Sequence, residues 1–279
     1  REKFNSIPTS PIQTIDTELR KMKAPGANNT KIYTHEIDQF IKKAINIASA
    51  LDDKIFTNYS QVYHRTNKTE PNCNSLTEFF NLHNAIAKRC HNCYKVQTEV
   101  NSLDELLTLN FLMKTMQLKS NNTRKCMIEL RKDAKGLYKG LIFCSSIDGA
   151  IYVMNETNRH IQERTSLKPI IRIKRGCTEF TNAHKEYGEI GNLNNLHQGP
   201  EQRKEWGIHE EKFLKTKDDA IANQTGWEFN LGEFLIMKNW ILYAQEMDDA
   251  AAIAKYGDTR YKNEAISKLI NSKRISINR

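Results

Sequence analysis

The sequence predicts an α+β protein with a ferredoxin-like βαββαβ core, an antiparallel sheet of spatial order 4-1-3-2, and helical additions at both ends. Three observations predict it. The hydrophobic period switches from helical to alternating near residue 94 and then alternates between the two periods as far as residue 176. Ser-type caps open the helical stretches between the strand-like ones. A turn carrying Gly136 joins the second and third strand-like stretches directly, as a hairpin does.

The elements follow in order. Residues 1–30 hold Pro8, Pro11, Pro25 and Gly26 without apolar periodicity and read as an extended arm. Residues 31–90 read as N-terminal helices. In the first, capped by Thr34, Ile37, Phe40, Ile41, Ala44, Ile45, Ala48 and Leu51 share a face. The second opens at Ser75 with Glu78 completing a capping box, and presents Phe79, Leu82 and Ile86 ahead of Cys90.

The core spans residues 91–177. Tyr94–Val100 alternates apolar and polar residues, as a half-buried strand does. Ser102 and Glu105 cap a helix carrying Leu103, Leu106, Leu107, Phe111, Met113 and Met116. Arg124–Leu130 and Lys139–Cys144 are the second and third strands. Ser145 or Ser146 caps a helix through Ile147, Ile151 and Met154, and Pro169–Lys174 is the fourth strand, closed by Gly176. Right-handed crossovers place these strands in the order 4-1-3-2. Residues 178–206 read as a long irregular loop, rich in Gly, Asn, His and Glu. Residues 207–279 read as helical again, with a buried helix within Phe229–Tyr256 and a last one near Lys262–Ser272.

Lys and Arg number 42 against 33 Asp and Glu, a formal charge of +9. That balance suits a polyanionic partner, nucleic acid or a phosphorylated metabolite, and is equally the background of a Lys- and Asn-rich chain. The most apolar stretch, Leu231–Ala244, is interrupted by Gly232, Glu233, Lys238 and Asn239, so no membrane span is expected. Six cysteines are too sparse for a disulfide scaffold. The expected setting is the reducing cytoplasm, and a processed organellar protein is compatible with a chain beginning at Arg1.

The topology gathers cysteines at one end of the sheet. Cys90-His91-Asn92-Cys93 is a C-x-x-C, a spacing that lets two thiolates bind one metal and that redox dithiols share. Cys144 and Cys177 end strands 3 and 4 at the same end, and complete an expected four-sulfur site with Cys90 and Cys93. Cys126 and His91 are substitutes for one ligand, and Cys73 stands outside the set. All-sulfur ligation suits zinc or an iron–sulfur cluster. Cys126 and Cys144 also fit apolar strand patterns, as small buried hydrophobes.

Other patterns carry less. His184 and Glu186 lie just beyond Cys177 and could serve general acid–base chemistry, though a polar surface loop accounts for them too. Lys139-Gly-Leu-Ile-Phe143 partly matches the strand signature of base-stacking RNA-binding modules. The outward face expected for strand 1, with Lys95, Gln97 and Glu99, has no aromatic residue, while Arg172 and Lys174 on strand 4 are placed to touch phosphates or water. No phosphate-binding Gly-rich loop or G-x-S-x-G is present.

Three functions fit these patterns. The first is a metal–thiolate protein, redox or cluster-assisted, acting on a small anionic substrate. The second is a nucleic-acid-binding protein with a structural zinc. The third is a basic subunit docked on a partner protein in a larger assembly.

Overall fold

The computed structural model describes residues 10–51, 57, 59–64, 73–120, 122–132, 134–188, 190, 209–213 and 228–257. They form an α+β structure around one five-stranded antiparallel sheet. Its strands are β1 (Gln61–His64), β2 (Tyr94–Val100), β3 (Arg124–Ile128), β4 (Tyr138–Cys144) and β5 (Ile170–Arg175), in spatial order β1-β3-β4-β2-β5.

The sheet therefore departs from the expected four strands. Residues 61–64, read within the N-terminal helical region, add an edge strand that pairs Val62 with Cys126 and His64 with Arg124. Four residues are too few for an alternating signal, which is why the sequence pattern passes over β1. The register elsewhere is continuous: Lys95 faces Phe143 on β4 and Lys174 on β5, and Lys125 faces Leu141.

The helices are α1 (Pro11–Arg20), α2 (Thr34–Ile47), α3 (Cys73–His83), α4 (Leu103–Thr115), α5 (Ile147–Arg164), α6 (Thr178–Ala183), α7 (Lys185–Gly188), α8 (Leu231–Glu246) and α9 (Ala250–Tyr256). The expected arm at residues 1–30 thus contains α1, opened by a capping box between Ser10 and Gln13 with Pro11 in the first turn, and buries Ile15 and Leu19. Proline suits the first turn of a helix, where its missing N–H has no partner to lose. The expected irregular loop at 178–206 likewise opens with α6 and α7. The single helix read within Phe229–Tyr256 is two, because Asp248 takes a positive φ of 58° and Asp249 caps α9. The helix near Lys262–Ser272 and the loop from residue 191 lie outside the described residues.

One face of the sheet is covered by helices. α4 is buried almost throughout, packed against β3 and β4 with α2, α5, α8 and α9 around it. Ser102 caps its start by accepting from the Glu105 N–H at 3.3 Å. At its other end the buried Arg124 guanidinium donates to the carbonyls of Met113 (2.7 Å) and Met116 (2.8 Å), satisfying acceptors a helix C-terminus leaves open. Gly140 lets α4 approach, since a Cβ there would stand 2.3 Å from Met113 Cε. α8 is tied to α4 by a buried ion pair, Lys114 Nζ to Glu233 Oε2 at 2.6 Å, beside Asn110, whose Oδ1 lies 2.8 Å from His64 Nε2. Among the described residues, no helix is long and apolar enough to cross a membrane.

A second, smaller core caps one end of the sheet. Leu76, Phe79 and Phe80 of α3 meet Ile86, Ala87, Cys90, Phe180 and Tyr187, with Phe213 packed on them.

Candidate anion-binding face and thiol corner

Alternation sends every second strand residue to the face opposite α4 and α5. Tyr63 of β1, Lys125 and Met127 of β3, Lys139, Leu141 and Phe143 of β4, Lys95, Gln97 and Glu99 of β2, and Arg172 and Lys174 of β5 share that face by register. This face divides into two electrostatic halves.

In the half nearer the hairpin turn, the cations are matched. Glu129 accepts from Lys139 at 2.9 Å and from Arg131 at 2.8 Å, and Arg131 also pairs with Glu179. Burial works against the Glu129 carboxylate, but the Arg131 hydrogen bonds and the Lys139 charge hold it down at about 2. Arg172 pairs with Glu99 at 2.6 Å.

In the half nearer the cysteines, no described carboxylate answers the lysines. Lys95 Nζ donates to Cys177 Sγ at 3.2 Å, Lys125 Nζ to Gln61 Oε1 at 2.9 Å, and Lys174 Nζ to Thr178 Oγ1 at 2.6 Å. None of the three forms a salt bridge with a described carboxylate. Burial, then the Lys95 charge, lowers the pKa of both Lys125 and Lys174 to about 8. Lys95 itself is the most buried of the three; burial disfavours its charge, and the negative charge available at Cys177, Cys93 and Cys73 outweighs that and raises its pKa. The ammoniums of Lys95 and Lys125 also flank the Phe143 ring, 5.1 and 5.7 Å from its centroid, and Lys125 lies 5.5 Å from the Tyr63 ring.

The cysteines fall into two groups, and none of the six is in a disulfide. Cys90, Cys93 and Cys177 lie at one corner of the sheet, where the Gly176 N–H donates to the Cys93 carbonyl at 2.8 Å and Cys177 packs on the cluster of Cys90, and Cys73, at the start of α3, lies within reach for its charge to act on Cys90 and Lys95. The charges of Cys93, Cys177 and Cys73 all reach Cys90, whose thiol is pushed up by burial first and by these neighbours second. Cys144 and Cys126 do not join. Both lie in the large core on the helix-covered face, Cys144 across from Tyr94 and Cys126 with its Sγ 3.5 Å from Met113 Sδ. Strand parity is the reason: Cys144 ends β4 at the right end of the sheet but on the other face from Lys95 and Phe143. Among the described residues, no three His, Cys, Asp or Glu side chains form a group able to hold a metal as they stand.

The corner is braced by polar contacts. Tyr187 Oη donates to the Cys90 carbonyl at 2.5 Å, and Arg175 donates to the His91 carbonyl at 2.7 and 3.0 Å while lying over the Tyr187 ring. Gly176 permits this fit, with φ at +56° and the Tyr187 hydroxyl 2.1 Å from where a Cβ would be. His91 packs edge-on to Tyr187, and burial, then the Arg175 charge, lowers its pKa. Of the expected acid–base pair, the His184 ring meets Phe80 edge-on, and the Glu186 side chain lies outside the described residues.

Lys95, Lys125, Tyr63, Phe143 and Cys73 are the residues of this region that sequence reasoning did not assign to a site. Parity along Lys139–Phe143 does put Phe143 on one face with Lys139, but the β3–β4 and β2–β4 registers are needed to put Lys125 and Lys95 beside it. Nothing local marks Cys73, which precedes the C-x-x-C by a whole helix. The chain matches no known family, and no curated protein or solved structure is similar to it.

Proposed function

We propose that the protein binds an anionic, phosphate-bearing ligand at the lysine cluster on the face of its sheet opposite α4 and α5. The carrying observation is the cluster of Lys95, Lys125 and Lys174, three half-buried or buried ammoniums with no carboxylate partner among the described residues. A buried charge without a counter-charge is costly, and the cost falls when an anion arrives. The formal charge of +9 acts in the same direction at longer range. The scaffold is read as a ferredoxin-like core with an added edge strand. Removing β1 from the observed order leaves β3-β4-β2-β5, which supports that reading.

The test is calorimetric titration with inorganic tripolyphosphate at two salt concentrations. Binding at low salt that weakens as salt rises, and that drops at least tenfold in a Lys125→Gln/Lys174→Gln variant, is expected. No binding at low salt, or equal binding by wild type and variant, would overturn the proposal.

A second reading, a metal–thiolate protein holding zinc or an iron–sulfur cluster, is favoured by the meeting of Cys73, Cys90, Cys93 and Cys177. It requires the four thiols to close on the metal, with Cys73 in the place expected of Cys144. The two readings compete, because metal-bound thiolates would themselves supply counter-charge to Lys95. Stoichiometric zinc, or iron with sulfide, in anaerobically purified protein puts this reading first. Metal-free protein whose corner thiols all alkylate removes it.

A further inference from the structure

Lys95, Lys125 and Lys174 differ in what their ammoniums meet. Lys125 donates to the Gln61 amide oxygen and Lys174 to the Thr178 hydroxyl, neutral oxygens that redox chemistry leaves unchanged. Lys95 Nζ donates to Cys177 Sγ at 3.2 Å, and a thiol sulfur changes both its charge and its bonding on oxidation. Lys95 is also the most buried of the three and stands across from Lys174 on β5.

Cys177 has the surroundings of a reactive thiol. It is partly exposed, and besides Lys95 the charges of Lys174, Lys125 and Arg131 reach it. Electropositive, partly exposed positions are where thiols react. Strand alternation would send Cys177 to the helix-covered face, but Gly176, at φ +56°, ends the strand and Cys177 Sγ meets Lys95 instead. Cys93, two residues before Lys95 in extended backbone, shares the face of Lys95 by parity and is also partly exposed. The Gly176 N–H donates to the Cys93 carbonyl at 2.8 Å, continuing the ladder that pairs Tyr94 with Arg175. Cys177 therefore lies one residue beyond the position across from Cys93. Directly opposed residues in such a ladder have Cα atoms about 5.5 Å apart, and a disulfide spans about 4.4–6.8 Å, so a small local movement brings Cys177 to Cys93. Cys90, Cys126 and Cys144 are buried.

We infer that Cys93 and Cys177 are a peroxide-sensitive thiol pair whose disulfide form releases Lys95 to a bound anion. The inference rests on the anion-binding reading above and adds its regulation. The Cys177 sulfur attacks hydrogen peroxide: an S–O bond forms, the O–O bond breaks, and the thiol proton leaves with one oxygen as water, sulfur being oxidised and peroxide reduced. The Cys93 thiol then attacks that sulfur. An S–S bond forms, the S–O bond breaks, and the Cys93 proton departs with the hydroxyl as a second water. While reduced, the Cys177 sulfur occupies Lys95 Nζ. The disulfide sulfur carries no charge and accepts weakly, which leaves the buried ammonium to an external anion. Linkage makes the coupling reciprocal, so an anion that prefers the oxidised chain favours the disulfide by the same factor.

The full chain, purified with a chelator, is treated with hydrogen peroxide and its disulfides are mapped by mass spectrometry. A bond joining Cys93 to Cys177, reversed by dithiothreitol, is expected. Tripolyphosphate is then titrated into the reduced and oxidised chains at one low salt concentration, and roughly tenfold tighter binding by the oxidised chain is expected. Cys93→Ser, which keeps Cys177 but cannot form the bond, should show no such rise after peroxide. Saturating tripolyphosphate should in turn shift the dithiol–disulfide equilibrium of the wild type in a dithiothreitol buffer by the same factor, about 30 mV for tenfold. A bond that pairs either cysteine elsewhere, no bond, or equal or weaker binding by the oxidised chain overturns the switch, while binding by the reduced chain keeps the anion site. Binding by neither form removes both.

Discussion

The two faces of the sheet are built by the same five strands and have opposite character. On the helix-covered face Val96, Val100, Ile128, Tyr138 and Ile142 pack under α4 and α5, and Arg124 is bound in place by the carbonyls ending α4. On the other face the cations of one half are matched by Glu99 and Glu129, and those of the other half meet no described carboxylate. On the first face the Arg124 guanidinium has structural partners within the fold. Among the described residues, the ammoniums of Lys95, Lys125 and Lys174 on the second have neutral oxygens, a thiol and two rings as neighbours, which is the contrast the proposed anion site rests on. Charge matching, more than charge itself, separates scaffold from candidate site.

The largest expected effect breaks the scaffold side. Replacing Glu233 by Ala strands the buried Lys114 ammonium and should cost about 3–5 kcal/mol, read as a fall in denaturant midpoint. A smaller loss is expected from Gly140→Val, whose side chain would collide with Met113 and Leu109 on α4; overpacking of this kind costs about 1–3 kcal/mol. The contrast sharpens on the other face. Lys125→Gln and Lys174→Gln should leave the melting temperature within about 2 °C of wild type, or raise it, while removing phosphate binding. A large loss of stability in either lysine variant would mean that this half is scaffold as well.

The smallest effect is the pH dependence. Lys125 and Lys174 titrate near pH 8 in the folded chain against 10.5 when unfolded. Between those values the unfolded chain holds more protons, so these two groups make stability rise with pH across that window. Anion affinity has the opposite sign, falling as pH rises through about 8, because a bound anion requires the protonated amines. Titrations at pH 7 and pH 9 check both signs in one series, and proton uptake on binding near pH 8 is the accompanying signature.

The cysteines make the same distinction between faces. Cys126 and Cys144 lie under helices and are small apolar side chains in use, whereas Cys73, Cys90, Cys93 and Cys177 collect beside Lys95. The reading that joined Cys144 to the corner had its strand end right and its face unresolved. One residue of parity separates a ligand from a core side chain, and an alternating pattern reveals parity only where its polar and apolar residues are distinct. Lys139-Gly-Leu-Ile-Phe-Cys144 is a case where they are not, with Leu141 and Phe143 sharing the face of Lys139.

By itself, the sequence determined the α+β class, the strands β2 to β5, and the helices α4 and α5 with a serine cap at the start of each. These rest on local periodicity, capping and strand direction, which neighbouring residues encode. Only the tertiary structure decided that β1 joins the edge, that Cys144 lies on the helix-covered face, and that Tyr63, Lys125, Phe143, Lys95 and Lys174 form one line. Each depends on register between segments far apart in the chain. Register is set by how whole faces pack, which no local stretch of sequence contains.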